Sequence, residues 1–281
     1  MARSTPASAQ RLAVRKTYKL FIGGKFPRSE SGRTYDVQGT NVALASRKDL
    51  RDAVLAARAA QAGWADATAY LRGQILYRAA EMLEGRRDEF VALGAPVAEV
   101  DAAVDRWVWY AGWADKIAQV YGNGNPVAGP YFNLSTPEPT GVVGVIAPTG
   151  APLLGLVSVI APAIVTGNTV VVLADVDAPL PAVTLAEVLA TSDLPGGVVN
   201  ILTGNPAETG PWLATHHDVN GLDLTGAPDP TTATSWEKAA AETLTRVIRP
   251  ARTPIDWTDD PGLSRMTAWL ETKTVWHPKG L

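Results

Sequence analysis

The stretch that decides the fold runs from Gly141 to Val157 and has the sequence GVVGVIAPTGAPLLGLV. It begins with a short run of β-branched apolar residues, which is typical of a buried strand. The run breaks at Pro148, and an apolar segment of helical length follows Pro152. A strand, a loop and a helix in this order predict the ligand crevice of a nucleotide-binding sheet. The loop itself, however, carries no carboxylate, imidazole or thiol.

The same alternation continues after this stretch. The apolar segments TVVVLA, GVVNILT and VNGLDLT are separated by helical segments up to about residue 226. Valine-rich strands that alternate with helices predict a parallel sheet covered on both faces. We therefore expect an α/β fold with a Rossmann-like parallel sheet and flanking helices, and a crevice beyond the carboxyl ends of its strands.

The sequence predicts further regions before and after this sheet. We expect a flexible tail over 1–16 and a β arm over 17–40, where YKLFIGGKF and RTYDV would pair as a hairpin. Ser46 and Asp49 predict a capping box that opens a helical region over 46–122. Together with βα repeats over 141–226, that region forms a domain over 41–250, which ends with a helix from about Ser235 to Arg246. A connector and a final strand occupy 251–281.

Composition excludes several classes of function. The chain has no cysteine, so it has no disulfide, no thiolate metal site and no cysteine nucleophile. His216, His217 and His277 do not have zinc-site spacing, and we predict no metal site. The net charge of −3, from 25 basic and 28 acidic residues, predicts neither a nucleic-acid nor a membrane partner. The start lacks an apolar signal-peptide run, so we expect a cytoplasmic protein.

Several of these segments together resemble the aldehyde dehydrogenase superfamily. KLFIGGKFPRSESGRTYDV is similar to the N-terminal arm of that family, and AAQAGWADATAYLRGQILYRAAEMLEGRRDEF to its opening helices. The segments from Gly141 onward are similar to its coenzyme-binding core. The resemblance implies NAD(P)-dependent aldehyde oxidation, in which a cysteine attacks the carbonyl, an asparagine amide holds the oxyanion and a glutamate activates water.

The catalytic positions depart from that pattern. The cysteine is missing, Gly150 stands where the resemblance places the asparagine, and Pro250 stands where it places the glutamate. After Pro250 the chain proceeds almost directly to its final strand, so the resemblance implies that the catalytic domain is absent. We therefore assign no catalytic residue and predict a pseudoenzyme.

The coenzyme positions are also altered. Ala174 replaces the lysine that binds the adenosine ribose, and Leu-Thr-Gly-Ala at 224–227 replaces Phe-Thr-Gly-Ser. Pro228 and Pro230 remove backbone donors where a pyrophosphate would bind. We expect no cofactor, with NAD or NADP as the alternative. Any nucleotide would contact the family positions Pro148, Thr149, Ala174, Asp177, Gly204, Thr225 and Gly226.

The final strand is similar to the oligomerisation strand of the family. Leu270, Thr272, Thr274 and Trp276 alternate along it and form the predicted interface. An unpaired edge strand promotes aggregation, so we expect a partner, namely a full-length aldehyde dehydrogenase subunit in a hetero-oligomer. Three alternatives stay open: a residual NAD(P)-dependent oxidoreductase or esterase that uses Ser or Thr, a nucleotide-binding sensor, and a compact monomer that buries these features itself.

Overall fold

The computed structural model describes residues 14–280, so the predicted tail over 1–16 lies almost wholly outside the described residues. The strands are β1 (Thr34–Val37), β2 (Thr40–Ala43), β3 (Asn123–Asn125), β4 (Tyr131–Pro139), β5 (Val142–Ile146), β6 (Thr169–Leu173), β7 (Val199–Leu202), β8 (Gly221–Asp223), β9 (Arg246–Ile248) and β10 (Leu270–Pro278). The helices are α1 (Arg47–Asp66), α2 (Ala69–Glu84), α3 (Arg87–Ala92), α4 (Val97–Trp113), α5 (Ile117–Tyr121), α6 (Leu154–Val165), α7 (Pro179–Ala190), α8 (Pro206–Ala214), α9 (Pro230–Ala241) and α10 (Ser264–Thr267).

The central sheet has the order β7-β6-β5-β8-β9, and every neighbouring pair is parallel. The chain moves outward from β5 to β7 and then returns to the other side of β5 with β8 and β9. This reversal of direction lies between β5 and β8, where parallel sheets form their ligand crevice. The predicted Rossmann-like parallel sheet with flanking helices is confirmed.

Both faces of the sheet are covered because strands such as β5 carry apolar residues on both sides. In β5, Val143 and Val145 belong to the apolar cluster that includes α2, α4, α6 and α7. Val142 and Ile146 belong to a second cluster, with α1, α8 and α9. Successive side chains of a strand point to opposite faces, so the run VVGVI supplies both cores. All five residues of β5 are buried.

The N-terminal arm differs from its prediction. RTYDV pairs with β2 rather than with YKLFIGGKF, so β1 and β2 form the hairpin and it crosses the predicted boundary at residue 40. YKLFIGGKF makes only isolated bridges, including Phe21 with Ile201 and Ile22 with Lys25. The turn at Gly23 and Gly24 packs directly on a second glycine: a Cβ on Gly24 would lie 2.9 Å from the Cα of Gly196. The arm is thus held against backbone near Gly196 and Ile201, far away in the sequence.

The helical region begins as predicted but is divided further. Ser46 accepts a hydrogen bond from the Asp49 amide, and the Asp49 carboxylate accepts one from the Ser46 amide, so the capping box is confirmed. The predicted region over 46–122 contains five helices, α1 to α5. Trp107 is fully buried, while Trp109 and Trp113 pack against the same core.

The end of the predicted domain contains an additional strand. The helix expected from Ser235 to Arg246 ends at Ala241, and β9 begins at Arg246. Leu244 adopts φ of 55°, a left-handed conformation that a helix cannot continue through. The predicted helix end was therefore wrong, and β9 extends the sheet beyond the strand that was expected to be last.

The final strand is paired on one side within the chain. β10 lies antiparallel to β4 along its whole length, in a sheet of order β10-β4-β3. The expectation of an unpaired strand is therefore wrong for this edge, while the other edge of β10 pairs with no strand of residues 14–280. Within the same residues, no helix is both long and apolar enough to cross a bilayer.

Candidate functional site

The candidate crevice is the edge of the sheet where the parallel strands end. Backbone hydrogen bonds connect the loops that leave neighbouring strands. The Ala147 amide donates to the Leu173 carbonyl at 2.9 Å, and the Ala174 amide donates to the Leu202 carbonyl at 2.8 Å. The Gly226 amide donates to the Ile146 carbonyl at 3.1 Å. The four loops after β5, β6, β7 and β8 therefore form one continuous rim.

All seven predicted coenzyme positions lie on this rim. Thr149 and Asp177 are exposed, Gly204, Thr225 and Gly226 are half-buried, and Pro148 and Ala174 are buried. Parallel pairing brings these positions to one edge because each follows the carboxyl end of its strand. Their assignment as coenzyme contacts stays a prediction.

Gly226 is constrained by the fold itself. A Cβ at this position would lie 1.8 Å from the Ala147 carbonyl oxygen, closer than any side chain could approach. The loop after β8 therefore passes the end of β5 at backbone distance, and only glycine permits this. The presence of glycine here is explained without a ligand.

Three helix N-termini at this edge, those of α6, α8 and α9, have side-chain acceptors for their amides, whereas α7 has no side-chain cap. The Glu99 carboxylate of α4 accepts hydrogen bonds from the Leu153 and Leu154 amides at 2.9 and 3.0 Å, at the start of α6. Asp229 accepts from two amides of α9, and Asn205 accepts from one amide of α8. These are the donors that would otherwise bind a phosphate. At α6 and α9 the acceptor is an anionic side chain of the chain itself.

Acidic side chains add negative potential on the rim after β6. Asp175 and Asp177 follow the strand, and the Asp175 carboxylate accepts from the Asp177 amide at 3.1 Å. Burial, followed by the neighbouring Asp177 charge, raises the pKa of Asp175 above its ordinary value. Burial and the charge of Asp175 also raise the pKa of Tyr35. Negative charge here opposes the approach of a polyanion.

A buried ion pair fastens the connector to the rim. Arg265 donates to the Asp223 carboxylate at 2.7 Å and to the Thr225 hydroxyl at 3.0 Å, and Asp223 is fully buried at the end of β8. Sequence reasoning missed both members of the pair. The signal was an aspartate inside an apolar strand, because a buried carboxylate requires a cationic partner.

The connector also packs on the loop after β5. Trp257 and Pro148 both contact Gly155: a Cβ there would lie 3.3 Å from the indole and 2.9 Å from the Pro148 ring. Arg106 of α4 donates to the Trp257 carbonyl at 2.6 Å, and the Arg265 guanidinium lies 5.2 Å from the centre of the indole ring. Residues between β9 and β10 therefore cover one side of the crevice.

The histidines do not reach the rim. His216 and His217 lie between α8 and β8, at the opposite edge of the sheet, and His277 lies in β10. No hydroxyl group on the rim therefore has an imidazole beside it, as a serine or threonine nucleophile would need. Among the described residues, no three His, Asp or Glu side chains form a group that could hold a metal ion.

Comparison with known proteins identifies the family. The model of the Aldehyde dehydrogenase family matches residues 33–249. The chain belongs to the aldehyde dehydrogenase family. It is 34% identical over 244 residues to the cytosolic aldehyde dehydrogenase 1 of Elephantulus edwardii, covering 80% of this chain and 48% of that protein. It is 33% identical over 244 residues to human retinal dehydrogenase 2, covering 80% of this chain and 46% of that protein.

Solved aldehyde dehydrogenase structures agree with this result. The Bacillus cereus aldehyde dehydrogenase solved as an NAD⁺ complex has a TM-score of 0.76 and 28% identity, covering 83% of this chain and 50% of that chain. This chain spans about half the length of the curated relatives it matches. The family match ends at residue 249, so β10 and the connector lie outside it.

Gly150 and Pro250, which replace the catalytic residues of the aldehyde dehydrogenase pattern, follow the carboxyl ends of β5 and β9. Gly150 is exposed, adopts φ of 83° and has no side chain to donate a hydrogen bond. Pro250 follows β9 by two residues and is half-buried. A proline at this position can neither accept nor release a proton.

The predicted interface residues lie along β10. Leu270 is half-buried, whereas Thr272, Thr274 and Trp276 are exposed. The Thr274 and Ser135 hydroxyls are hydrogen-bonded at 2.8 Å, and the Trp276 indole meets the Tyr131 ring edge-on at 5.7 Å. Their role as an interface stays a prediction.

Proposed function

We propose that this chain is a catalytically inactive aldehyde dehydrogenase-like subunit that assembles with a full-length NAD(P)-dependent aldehyde dehydrogenase and supports or regulates it. The observation that carries the proposal is the absence of any thiol in the chain. Without the cysteine nucleophile, the covalent step of the family mechanism cannot occur. The glycine at 150 and the proline at 250 supply neither an oxyanion donor nor a general base.

The same proposal includes the absence of a bound coenzyme. The amides at the start of α6 and α9 already donate to Glu99 and Asp229. A pyrophosphate would have to displace these carboxylates and approach Asp175 and Asp177. Ala174, fully buried, offers no group to a ribose hydroxyl.

Assembly is supported by the edge of β10 that pairs with no strand among residues 14–280. Its unpaired amide and carbonyl groups form a template for another strand. Val275 and Trp276, at 44% and 57% exposure, place apolar surface beside that edge. The occupant that we propose is a full-length family member, because such a protein contains the part of the family's length that this chain does not span. We also propose a cytoplasmic location, to be checked by cell fractionation.

Capture from the native host tests the assembly. A tagged chain is purified under gentle conditions, and the mass of the intact assembly is measured. We expect a complex that contains a full-length aldehyde dehydrogenase. Recovery of a monodisperse monomer without that enzyme would overturn the assembly proposal.

Two further measurements test inactivity and the absence of coenzyme. The purified chain is incubated with aldehydes and NAD or NADP while reduced coenzyme is followed by absorbance, and turnover above a heat-killed control would contradict inactivity. Ester hydrolysis is assayed in parallel. Calorimetric titration with NAD, NADP and AMP should give no binding heat; saturable binding would favour a nucleotide sensor.

A further inference from the structure

A cavity lies between α4, α6 and the connector. It has a volume of about 330 Å³ and is lined by Arg106, Tyr110, Ser158 and residues between 251 and 265. The volume lies at the lower end of the range for pockets that hold small molecules. The cavity exists in this form because the connector forms one wall of it.

The floor of the cavity carries a buried positive charge that forms no ion pair within residues 14–280, and the Asp260 carboxylate acts on it only at longer range than an ion pair. Arg106 is only 7% exposed, and it donates to the Ser158 hydroxyl at 2.9 Å and to the carbonyls of Trp257 and Asp259 at 2.6 and 2.9 Å. These acceptors are all neutral. Among residues 14–280, no carboxylate lies within 4.0 Å of its guanidinium. A buried charge with only neutral partners is unusual, because desolvation is normally offset by an opposite charge.

A hydroxyl group without a partner lies on the same helix face. Tyr110 follows Arg106 by one helical turn and is fully buried. Its hydroxyl has no hydrogen-bond partner in the described part of the protein. Burial raises the pKa of Tyr110 to about 12, so this hydroxyl is a neutral donor at physiological pH. Buried polar groups are normally satisfied, which indicates a missing acceptor.

The mouth of the cavity is acidic. Asp256, Asp259 and Asp260 are exposed in the connector. The Asp256 carboxylate accepts from the Thr258 amide and hydroxyl, and the Asp260 carboxylate accepts from the Gly262 amide, so both are engaged within their own loop. The second arginine of the lining, Arg265, is paired with Asp223. The floor therefore attracts an anion, while the mouth repels a second one.

We propose that this cavity binds a small aliphatic monocarboxylate, whose carboxylate accepts hydrogen bonds from the Arg106 guanidinium and the Tyr110 hydroxyl. The ligand supplies an ion-pair partner for Arg106 and an acceptor for the Tyr110 hydroxyl. Its aliphatic end points to the mouth, where the three aspartates select against dicarboxylates. The inference does not depend on the proposed assembly, because every group that it uses belongs to this chain.

Calorimetry on the full chain tests the site with three probes of similar length: butanoate, succinate and butylammonium. We expect saturable binding of butanoate, binding of succinate at least about ten-fold weaker and no binding of butylammonium. Absence of butanoate binding would overturn the site, and succinate that binds equally well would overturn the selectivity.

Tyr110→Phe is the decisive variant because it removes only the hydroxyl. We expect butanoate affinity to fall about ten-fold while thermal stability without ligand stays the same or rises, since an unsatisfied buried hydroxyl is lost. Tyr77→Phe, on the exposed face of α2, is the matched control and should bind as the parent chain does. Equal butanoate affinity in Tyr110→Phe and the parent chain would refute the assigned donor.

Discussion

At the scale of single residues, several rim positions serve the fold in ways that do not require a nucleotide. Gly226 is needed because β5 and the loop after β8 touch at backbone distance. Thr225 donates its hydroxyl to Asp223 and accepts from Arg265. The family resemblance marks these positions as coenzyme contacts, and their local contacts also give them a role in packing.

Gly226→Ala tests that packing role. The new methyl group would overlap the Ala147 carbonyl, and the strain should lower the free energy of unfolding by about 1–3 kcal/mol or more. Urea denaturation measures the change. Gly124→Ala is the control, because a Cβ there meets nothing within 4 Å, and its stability should stay within about 0.5 kcal/mol of the parent. Equal stability of both variants would contradict the close approach.

Asp175→Asn gives a prediction that depends on pH. The pKa of Asp175 is raised in the folded state, mainly by burial, so the folded chain holds this proton more tightly than the unfolded chain. The parent therefore loses stability as pH rises from the ordinary value of 3.8 through the raised value. Asparagine avoids that loss while keeping an oxygen acceptor for the Asp177 amide.

We expect Asp175→Asn to be more stable than the parent at neutral pH and equal to it in strong acid. Denaturation across a pH series measures the difference. Asp177→Asn, at an exposed position, should show a smaller effect. A stability difference that is independent of pH would show that the raised pKa is not the cause.

At the scale of elements, the sequence predicts structure that depends on neighbouring residues but not structure that depends on residues far away in the chain. The Ser46–Asp49 box and the valine-rich strands depend on residues a few positions apart, so sequence alone was sufficient. β9 has only three half-buried residues and exists because β8 lies beside it. The N-terminal arm bonds to Ile201, about 180 residues away, and no local pattern encodes that contact.

The start of α6 shows the same limit for the candidate site. Its amides are capped by Glu99 from a different helix, so the sequence around Leu153 gives no sign of a cap. The location of the rim followed from the strand pattern. Only the tertiary structure shows that Glu99 accepts hydrogen bonds from the amides of the rim. The same is true of the buried pair of Asp223 and Arg265.

Glu99→Ala tests this cap. Loss of the carboxylate leaves two amides of a buried helix end without an acceptor and removes a favourable charge from the positive end of α6. We expect the free energy of unfolding to fall by about 1–2 kcal/mol. Glu81→Ala, exposed on α2, is the matched control and should change stability by less than about 0.5 kcal/mol. If both variants unfold alike in a urea titration, the cap contributes nothing.

At the scale of the whole molecule, two cores share one sheet while the β10 ribbon stays largely outside them. Every residue of β10 after Leu270 is exposed, whereas the sheet strands β5, β6, β7 and β8 are completely buried. The ribbon is therefore the surface where a change should affect association with little effect on folding. This separation makes the assembly proposal testable by substitution.

Val275→Asp should weaken assembly selectively. A charge beside the free edge opposes strand addition, and we expect recovery of the full-length partner to fall at least about ten-fold in the capture experiment. Leu55→Asp, at 50% exposure on α1, is the control and should recover as much partner as the parent. Equal recovery in the two variants would place the contact elsewhere.

The connector has a consequence for how such proteins can be shortened. Arg106 binds its backbone, its own Arg265 pairs with Asp223 of the sheet, and its Trp257 indole covers Gly155 next to the strand ends. About twenty residues between β9 and β10 thus cover this side of the crevice in a chain that spans about half the length of its curated relatives. Transplanting this segment into a full-length aldehyde dehydrogenase, in place of everything between the equivalents of β9 and β10, should yield a soluble half-enzyme. A short segment that covers the exposed side of the crevice would then be enough to replace a whole domain.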